Sequence, residues 1–334
     1  MSELRKVTQD ELIEILDNHK RWHEEDGREG KCADFSYTDL AQVSFRNEDL
    51  RFANFKGANL KGVDFHLADL GGTDFSDAIL ANADFSHGNI VCANLMRVNA
   101  HGANFSYVEG NNANLEDADL ERADLTGANF EQANMKNVDF NDARIRDATF
   151  CYASLYRADF SRAVLEGTDL YSANLTSAKL NGAKCSGCRM CCTDFTKADM
   201  RGADLFGADL ENACLVLANL QDADLNGAYL HGVDLREIKG ARVQESTKPI
   251  KMITEETLRK IYEQSPEKIK EGYKNKDFEV EGIDTFNDFI YEINVGIIEE
   301  LYQLGIDVTE LSKANEKEPP RIETTKPTKK KGAR

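Results

Sequence analysis

The sequence predicts an all-β solenoid: a right-handed, four-sided β-helix of about ten coils, with an N-terminal capping helix and a small C-terminal α-helical region. First, every fifth residue from Phe35 to Leu235 is Leu, Phe, Ile or Met in 38 of 41 uninterrupted pentads. Second, the residue two positions earlier is Ala in 28 pentads, and the residue between them is Asp or Asn in 29. A period of five fits neither a helix nor a flat strand, so the chain must coil back on itself.

The three columns suggest how one pentad is built. If each pentad forms one side of a square coil, the large residue and the Ala point inward while Asp or Asn points outward. The outward side chain then bonds nearby backbone amides. Glycines that precede the Ala, such as Gly57 and Gly127, are expected where the corner must turn. Coils that pair backbone to backbone rise by roughly 4.8 Å each, which gives a rod about 50 Å long.

Phe and Leu alternate at the large position from residue 35 to residue 85. With four sides to a coil, Phe35, Phe55 and Phe75 should stack on one side, and a second Phe series should stack opposite. Residues 98–110 interrupt this order, because Ala100 and Gly110 replace large residues. Val98 and Val108 enlarge the neighbouring small positions there. We interpret the stretch as a local packing variation rather than a functional site; the exchange either conserves volume or bends the rod.

The pattern A-(D/N)-(L/F)-x-x resembles the pentapeptide-repeat family. Segments such as Ala118-Asp119-Leu120 and Ala203-Asp204-Leu205 carry the resemblance, which covers about three-fifths of the chain. It implies a β-helical rod and leaves the function open.

Four segments are expected along the chain. Residues 1–30 hold the capping helix, which begins at a capping box of Thr8 and Glu11 and ends at Gly27; a partner-binding helix is the alternative. Residues 31–240 form the β-helix. Residues 241–312 read as helices with an apolar face, which is buried either as a C-terminal cap or in a homodimer. Residues 313–334 form a basic tail of net charge +5 that is expected to be disordered.

Four cysteines, Cys185, Cys188, Cys191 and Cys192, resemble a metal-ligand run. Their register argues against a shared ion. Cys185 and Cys188 take inward positions, whereas Cys191 and Cys192 take outward ones, so the four thiolates do not converge. Buried cysteine acts as a small hydrophobe.

No catalytic, cofactor-binding or metal-binding residue is predicted, and no cofactor is implied. The many Asp residues mostly occupy the outward column, and no Walker loop, Rossmann fingerprint or nucleophile elbow occurs. The histidines are interpreted as surface residues with no carboxylate at a meaningful spacing; they are His19, His23, His66, His87, His101 and His231. The protein is therefore expected not to be an enzyme.

The net charge of −18 disfavours direct binding to nucleic acid or to an anionic membrane. No run of 18 apolar residues occurs, so no membrane span is predicted. The spacing of the eight cysteines suits a reducing compartment better than a disulfide framework, which predicts a cytoplasmic location.

Two functions are weighed. The first is a non-enzymatic scaffold for protein–protein interaction, whose partner the sequence does not identify. The second follows from the resemblance, because well-understood pentapeptide-repeat proteins bind DNA gyrase or topoisomerase by imitating duplex DNA. Residues 31–240 carry net −12 and residues 61–140 carry −9, which supports mimicry, but residues 141–190 carry +2. A continuous electronegative face favours the mimic, and an interrupted one favours the scaffold. A homodimer through the C-terminal helices fits either function.

Overall fold

The computed structural model describes residues 4–233 and residue 238. Strand β1 (Arg5–Lys6) is followed by helix α1 (Gln9–Glu24) and by strand β2 (Thr38–Asp39), and β1 pairs in parallel with β2. Within the described residues, no helix is long and apolar enough to cross a lipid bilayer. The segments predicted for residues 241–312 and 313–334 lie outside the described residues.

A 20-residue coil repeats through the rest of the described chain. Each residue of the Asp/Asn column forms a parallel bridge with the residue 20 positions later, from Asp34 with Asn54 to Asp209 with Tyr229. The amide of Phe35 donates to the carbonyl of Asn54 at 2.7 Å, and the same bond recurs from pentad to pentad. Four pentads therefore make one coil, and bonds to neighbouring coils satisfy the backbone groups that a single pentad leaves unpaired.

We name the four sides after their first large residues: the Phe35, Leu40, Phe45 and Leu50 sides. The large residues and the Ala column are buried along all four. On the Phe35 side, Phe35 and Phe55 stack with ring centroids 5.0 Å apart, and Phe55 and Phe75 follow at 5.2 Å. The Phe45 side carries the opposite ladder, which continues to Phe105. The predicted aromatic ladders are thus confirmed, and stacking adds to the stabilisation from burial alone.

Residues 98–110 are where the ladders change sides. Above this stretch, Phe130 and Phe150 stack on the Leu50 side, and Phe140 and Phe160 stack on the Leu40 side. A Cβ on Gly110 would lie 2.5 Å from Cε1 of Phe130, so the ring of Phe130 fills the space that Gly110 leaves.

The backbone hydrogen bonds between coils continue through residues 98–110. Ala100 donates to Asp119 at 2.8 Å, and Gly110 donates to Asn129 at 2.7 Å. The stretch is therefore a redistribution of core volume within an unbroken ladder, as the packing interpretation expects.

Helix α1 packs against the start of the rod. Thr8 is its N-cap, and its hydroxyl accepts from the amide of Glu11 at 3.3 Å. Leu12 is buried in the same core as the first coils. At the C-terminal end, Gly30 has φ +73°, and a Cβ there would lie 2.2 Å from the carbonyl oxygen of Asn18, so only glycine fits.

The surface interpretation is wrong for His19, whose side chain is 1% exposed. Its Nδ1 accepts from the amide of Ala33 at 3.0 Å, which joins the helix to the first pentad. Burial, with the neighbouring charges of His23 and Arg51 acting in the same direction, lowers the pKa of His19 to about 4, although Asp49 acts against this. The imidazole therefore serves as a neutral acceptor.

Candidate interaction surface

The corners of the coil tolerate a wide range of residues. Each pentad turns two residues after its large residue, where φ is near +60°, as at Phe52 (+64°) and Arg97 (+59°). We expected glycine to provide this turn, but most corners carry another residue in the left-handed region. The repeated bonds between coils hold these residues there against a cost of about 1–2 kcal/mol each. The turn itself consequently does not require glycine.

Glycine at a corner has a second role, which is to make room for an aromatic ring. A Cβ on Gly57, Gly72 or Gly127 would lie 2.6–2.7 Å from a ring atom of the residue one coil earlier. Those rings belong to Tyr37, Phe52 and Tyr107. The three aromatic side chains lie across the glycines of the next coil and remain more than half exposed. The backbone thus fixes an exposed ring in one orientation.

One corner carries large side chains in three successive coils. Leu67, His87 and Tyr107 follow one another at intervals of 20 residues, between the Phe45 and Leu50 sides, and we call them the 67–107 corner. Leu67 is 50% exposed and Tyr107 is 55% exposed. The rings of His87 and Tyr107 stack with centroids 5.0 Å apart, and His66 contacts His87 edge to face at 5.6 Å. This corner is the candidate interaction surface.

Next to the corner, His66 is fixed by the following coil. Its Nδ1 lies 2.7 Å from the hydroxyl of Ser86, which is itself buried, and its amide donates to Asp64 at 2.9 Å. The amide and Nδ1 of His66 are therefore already paired within the rod. A partner can cover the rings without leaving these groups buried and without a hydrogen-bond partner.

Two kinds of contact occupy the outward column. In the first coils an amide donates to the carboxylate one coil earlier, as Asn54 does to Asp34 at 3.0 Å and Asn104 does to Asp84 at 2.9 Å. Nearly every Asp and Asn of the column also accepts from the amide two residues on, as predicted; Ser36, for example, donates to Asp34 at 3.0 Å.

Between residues 141 and 190 a cation takes the place of the amide. Lys179 lies 2.9 Å from Asp159, and Arg189 lies 2.5 Å from Asp169, each pair 20 residues apart. Burial opposes ionisation of Asp159, but hydrogen bonds from Ser161 and Lys179 outweigh it and lower its pKa. The negative charge of the column is therefore neutralised locally along this part of the rod.

Ion pairs also cross the acidic stretch. Arg97 bonds Asp77 at 2.7 Å, and this hydrogen bond lowers the pKa of the Asp77 carboxyl. Nearer the start, Arg51 lies 2.7 Å from Asp49 and 3.4 Å from Asp69. The electronegative surface is thus interrupted.

The four clustered thiols lie where the pentad register predicts. Cys185 and Cys188 are buried, whereas Cys191 is partly exposed and Cys192 is exposed. Sγ of Cys188 donates to the carbonyl of Leu165 at 2.9 Å. The thiol contact with Cys188, together with burial, raises the pKa of Cys185 well above its usual value. The buried pair acts as core packing.

One outward thiol meets carboxylates of the next coil. Burial and a hydrogen bond with Asp209, helped by the charges of Asp209 and Glu211, raise the pKa of Cys191 to about 11.

The expectation that no histidine has a carboxylate at a meaningful spacing is wrong for His101 and His231. Nδ1 of His101 lies 3.7 Å from Glu121, and Nδ1 of His231 lies 3.0 Å from Glu211. The meaningful spacing is 20 residues, the length of a coil, and searching the sequence at that spacing would have found these pairs.

Comparison with known proteins identifies the repeat. A family model for a pentapeptide repeat region matches residues 113–190, and a model for pentapeptide repeats (8 copies) matches segments between residues 31 and 132 and residues 203–239. Together they cover more than half of the chain. Among curated proteins, none matches the sequence.

Three solved structures illustrate the likeness. HetL, a pentapeptide repeat protein involved in heterocyst differentiation regulation in the cyanobacterium Nostoc sp. strain PCC 7120, is 29% identical over 70% of this chain and 96% of that chain, with a TM-score of 0.28. QnrB1, a plasmid-mediated fluoroquinolone resistance protein, is 22% identical over 59% of this chain and 91% of its own, with a TM-score of 0.39.

The third is a pentapeptide repeat protein from the thylakoid lumen of Arabidopsis thaliana. It is 39% identical over 33% of this chain and 63% of that chain, with a TM-score of 0.21. Such proteins form right-handed β-helices and are generally non-catalytic structural or binding proteins. From the matched repeats and the 20-residue coil, the chain belongs to the pentapeptide-repeat family.

Proposed function

We propose that the protein is a non-enzymatic scaffold that binds a protein partner through the 67–107 corner. The observation that carries the proposal is the alignment of Leu67, His87 and Tyr107 on three successive coils, with Leu67 and Tyr107 each at least half exposed. Ordinary surfaces expose single apolar residues, whereas aligned exposed aromatic and aliphatic groups are typical of binding sites.

The rigidity of the corner supports this function. Tyr107 lies across Gly127 and stacks on His87, so its ring is ordered before a partner arrives. Binding then costs less side-chain entropy than it would with a mobile ring. Tyrosine is also enriched in interfaces, because its body is apolar and its hydroxyl reaches solvent.

The charges around the corner define the partner. Asp84 and Asp124 lie on the Phe45 side, and Glu109 lies on the Leu50 side next to the same corner. We therefore expect a protein surface with an apolar groove flanked by lysine or arginine. Opposite charges of this kind increase the association rate, and this increase becomes smaller as salt is added.

The test compares variants of the full chain. Partners are captured from an extract of the source cells, identified, and their affinity for the purified chain is measured. Replacing Leu67 and Tyr107 together by Ala should weaken a corner-bound partner by roughly a hundredfold, the effect of truncating two central anchors. The matched control is Tyr152→Ala, because Tyr152 is 54% exposed at the equivalent position of another pentad. Equal affinity of the corner variant and the control for every captured protein would contradict the proposal.

A second candidate is a DNA mimic directed at gyrase, favoured by the net −9 of residues 61–140. A cationic DNA channel would attract such a surface. Within this stretch Asp77 is paired with Arg97, and beyond it the ion pairs of Asp159 and Asp169 limit the length over which a phosphate backbone could be imitated. Gyrase supercoiling assays separate the two candidates.

Homodimerisation through residues 241–312 is part of the proposal for either function. It predicts a solution mass of twice the 37.3 kDa chain mass. Light scattering that gives the single-chain mass would remove the dimer.

A further inference from the structure

Three successive coils bring thiol, carboxylate and imidazole groups together on the Leu50 side. Sγ of Cys191 and one carboxylate oxygen each of Asp209 and Glu211 lie within 4.8 Å of one another. Asp209 and Glu211 flank the inward Leu210, so the alternation of an extended chain turns both carboxylates outward. Cys191 occupies the position of Glu211 one coil earlier, and His231 occupies it one coil later, with Nδ1 3.0 Å from Glu211.

We infer that Cys191, Asp209 and Glu211 form a Zn²⁺ site, and that His231 holds Glu211 from the next coil. Zinc takes thiolate sulfur, imidazole nitrogen and carboxylate oxygen, usually four of them in a tetrahedron. Bond lengths of roughly 2.0–2.3 Å place tetrahedral ligand atoms about 3.5 Å apart, so the three ligand atoms, already within 4.8 Å of one another, need to approach by little more than about 1 Å, and solvent would supply the fourth ligand. Calcium and magnesium prefer oxygen ligands alone, so the thiol selects against them.

Binding resolves an electrostatic conflict in this cluster. Two carboxylates beside Cys191 disfavour its thiolate, and a divalent cation reverses this preference. The thiol proton passes to solvent as the Zn–S bond forms, so the affinity should rise with pH. Arg189 lies close enough to act on the Cys191 thiol, but it is paired with Asp169, and within residues 4–233 no ion pair joins a cation to Asp209.

The same side contains a natural control. Cys151 occupies the equivalent position two coils earlier, and the following coil reads Asp169-Leu170-Tyr171. Tyr171 replaces the glutamate, and Arg189 neutralises Asp169 at 2.5 Å. Glu131 of the preceding coil also acts on the Cys151 thiol, but Cys151 lacks the carboxylate pair of one coil that Asp209 and Glu211 give Cys191, so it should bind zinc more weakly.

A related cluster occurs on the Leu40 side. His101 Nδ1 and the carboxylates of Asp119 and Glu121 also lie within 4.8 Å of one another. The sequence Asp-Leu-Glu occurs twice in residues 4–233, and each time a His or Cys lies 20 residues before the Glu. The same arrangement of residues across two coils thus underlies both clusters. At the first cluster Arg122 lies 3.5 Å from Glu121 and repels a cation, so we expect weaker binding there.

The experiment titrates Zn²⁺ into the full reduced chain in competition with a chromophoric indicator, and repeats the titration with Co²⁺. We expect one tight Zn²⁺ and, with Co²⁺, a thiolate-to-metal charge-transfer band. Cys191→Ser should remove the band and weaken zinc binding by at least roughly tenfold, and Glu211→Gln should weaken it similarly. Cys151→Ser and Cys192→Ser should bind as the wild type does.

Two results would overturn the site. One is a wild-type chain whose Co²⁺ complex shows no thiolate band. The other is a Cys191→Ser chain with unchanged Zn²⁺ affinity. Circular dichroism would check that each variant is folded, and misfolding is unexpected because these side chains are outward and at least partly exposed. Tight binding also predicts a melting temperature that rises with added Zn²⁺ in the wild type and not in Cys191→Ser.

Discussion

The first half of the rod, residues 31–110, and the second half, residues 111–230, build the same coil from different side chains. In the first half the Phe ladders lie on the Phe35 and Phe45 sides, and in the second half they lie on the Leu40 and Leu50 sides. Several outward carboxylates of the first half are bonded by an asparagine amide of the next coil, and several of the second half are bonded by a lysine or arginine of the next coil.

The difference shows that the backbone bonds between coils define the frame, whereas side chains are interchangeable within two limits. The volume inside each coil is fixed. Phe residues on two opposite sides therefore require smaller residues on the other two sides. Each outward carboxylate must find a donor, which is supplied by its own turn and by the next coil. Surface residues that neither fill the core nor bond these carboxylates can vary without changing the fold, so they can determine which partner binds.

The largest expected effect is in the first-half ladder. Phe85 stacks between Phe65 at 4.9 Å and Phe105 at 4.7 Å, so Phe85→Ala should cost about 3–5 kcal/mol of unfolding free energy. Phe150 stacks on Phe130 at 5.9 Å, and Phe150→Ala should cost roughly 1 kcal/mol less. Denaturant melts of both variants measure the difference. A greater loss in Phe150→Ala would contradict the description of the two ladders.

The next effect concerns the start of the first half, where His19 is buried. Its folded pKa of about 4 lies below the ordinary 6.5, so between these values the unfolded chain binds a proton that the folded chain does not. Stability should therefore fall as the pH decreases from 6.5 to 4, by at most roughly 3 kcal/mol from this group.

His19→Asn provides the check, because the Asn side-chain oxygen can still accept from the amide of Ala33. Thermal melts across this pH range should show a smaller pH dependence for His19→Asn than for the wild type. His87→Asn, at an exposed corner, is the matched control and should retain the wild-type dependence. A His19→Asn variant with the full wild-type dependence would show that His19 is not the group responsible.

A smaller effect is expected where the two halves meet. Gly110→Leu would force a side chain into the ring of Phe130, and such overpacking costs about 1–3 kcal/mol. Adding Phe130→Leu should recover most of the loss, because it removes the ring that fills this space. Melting temperatures of the two single variants and the double variant measure the coupling. Additive losses would mean that Gly110 and Phe130 do not share one volume.

The smallest effect is expected from exchanging the surface chemistry of the halves. Lys179→Asn would give Asp159 an amide partner of the kind that Asp84 has in Asn104. Its unfolding free energy should change by less than about 0.5 kcal/mol, since exposed ion pairs contribute little. The reciprocal Asn104→Lys should behave alike and gain salt dependence. A loss of several kcal/mol in either variant would show that these partners are not interchangeable.

The sequence was sufficient for the coil and its core because a strict period of five leaves one solution for the inward columns. Phe35 and Gly110 could both be placed by counting. His19 could not, because its burial depends on how α1 docks on the first pentad. The pairs of Cys191 and His231 with Glu211 were missed for a different reason. These residues are adjacent only across coils, 20 residues apart, whereas the short spacing of Cys185 and Cys188 indicates only neighbours within a few residues.

The corner glycines were interpreted only in part. Gly127 matches a turn position, but the ring that requires it belongs to Tyr107, 20 residues earlier. A search of the corner column at that spacing links the exposed rings of Tyr37, Phe52 and Tyr107 to their glycines, whereas Tyr152 is followed by Ser172.

The central claim is that the protein is a protein-binding rod whose negative surface is interrupted by ion pairs. The most direct test is a gyrase supercoiling assay in which the full chain is titrated, with and without a fluoroquinolone. The account predicts neither inhibition nor drug protection at micromolar protein. Inhibition or protection at that concentration, sensitive to added salt, would contradict it and establish the acidic stretch of residues 61–140 as a DNA mimic.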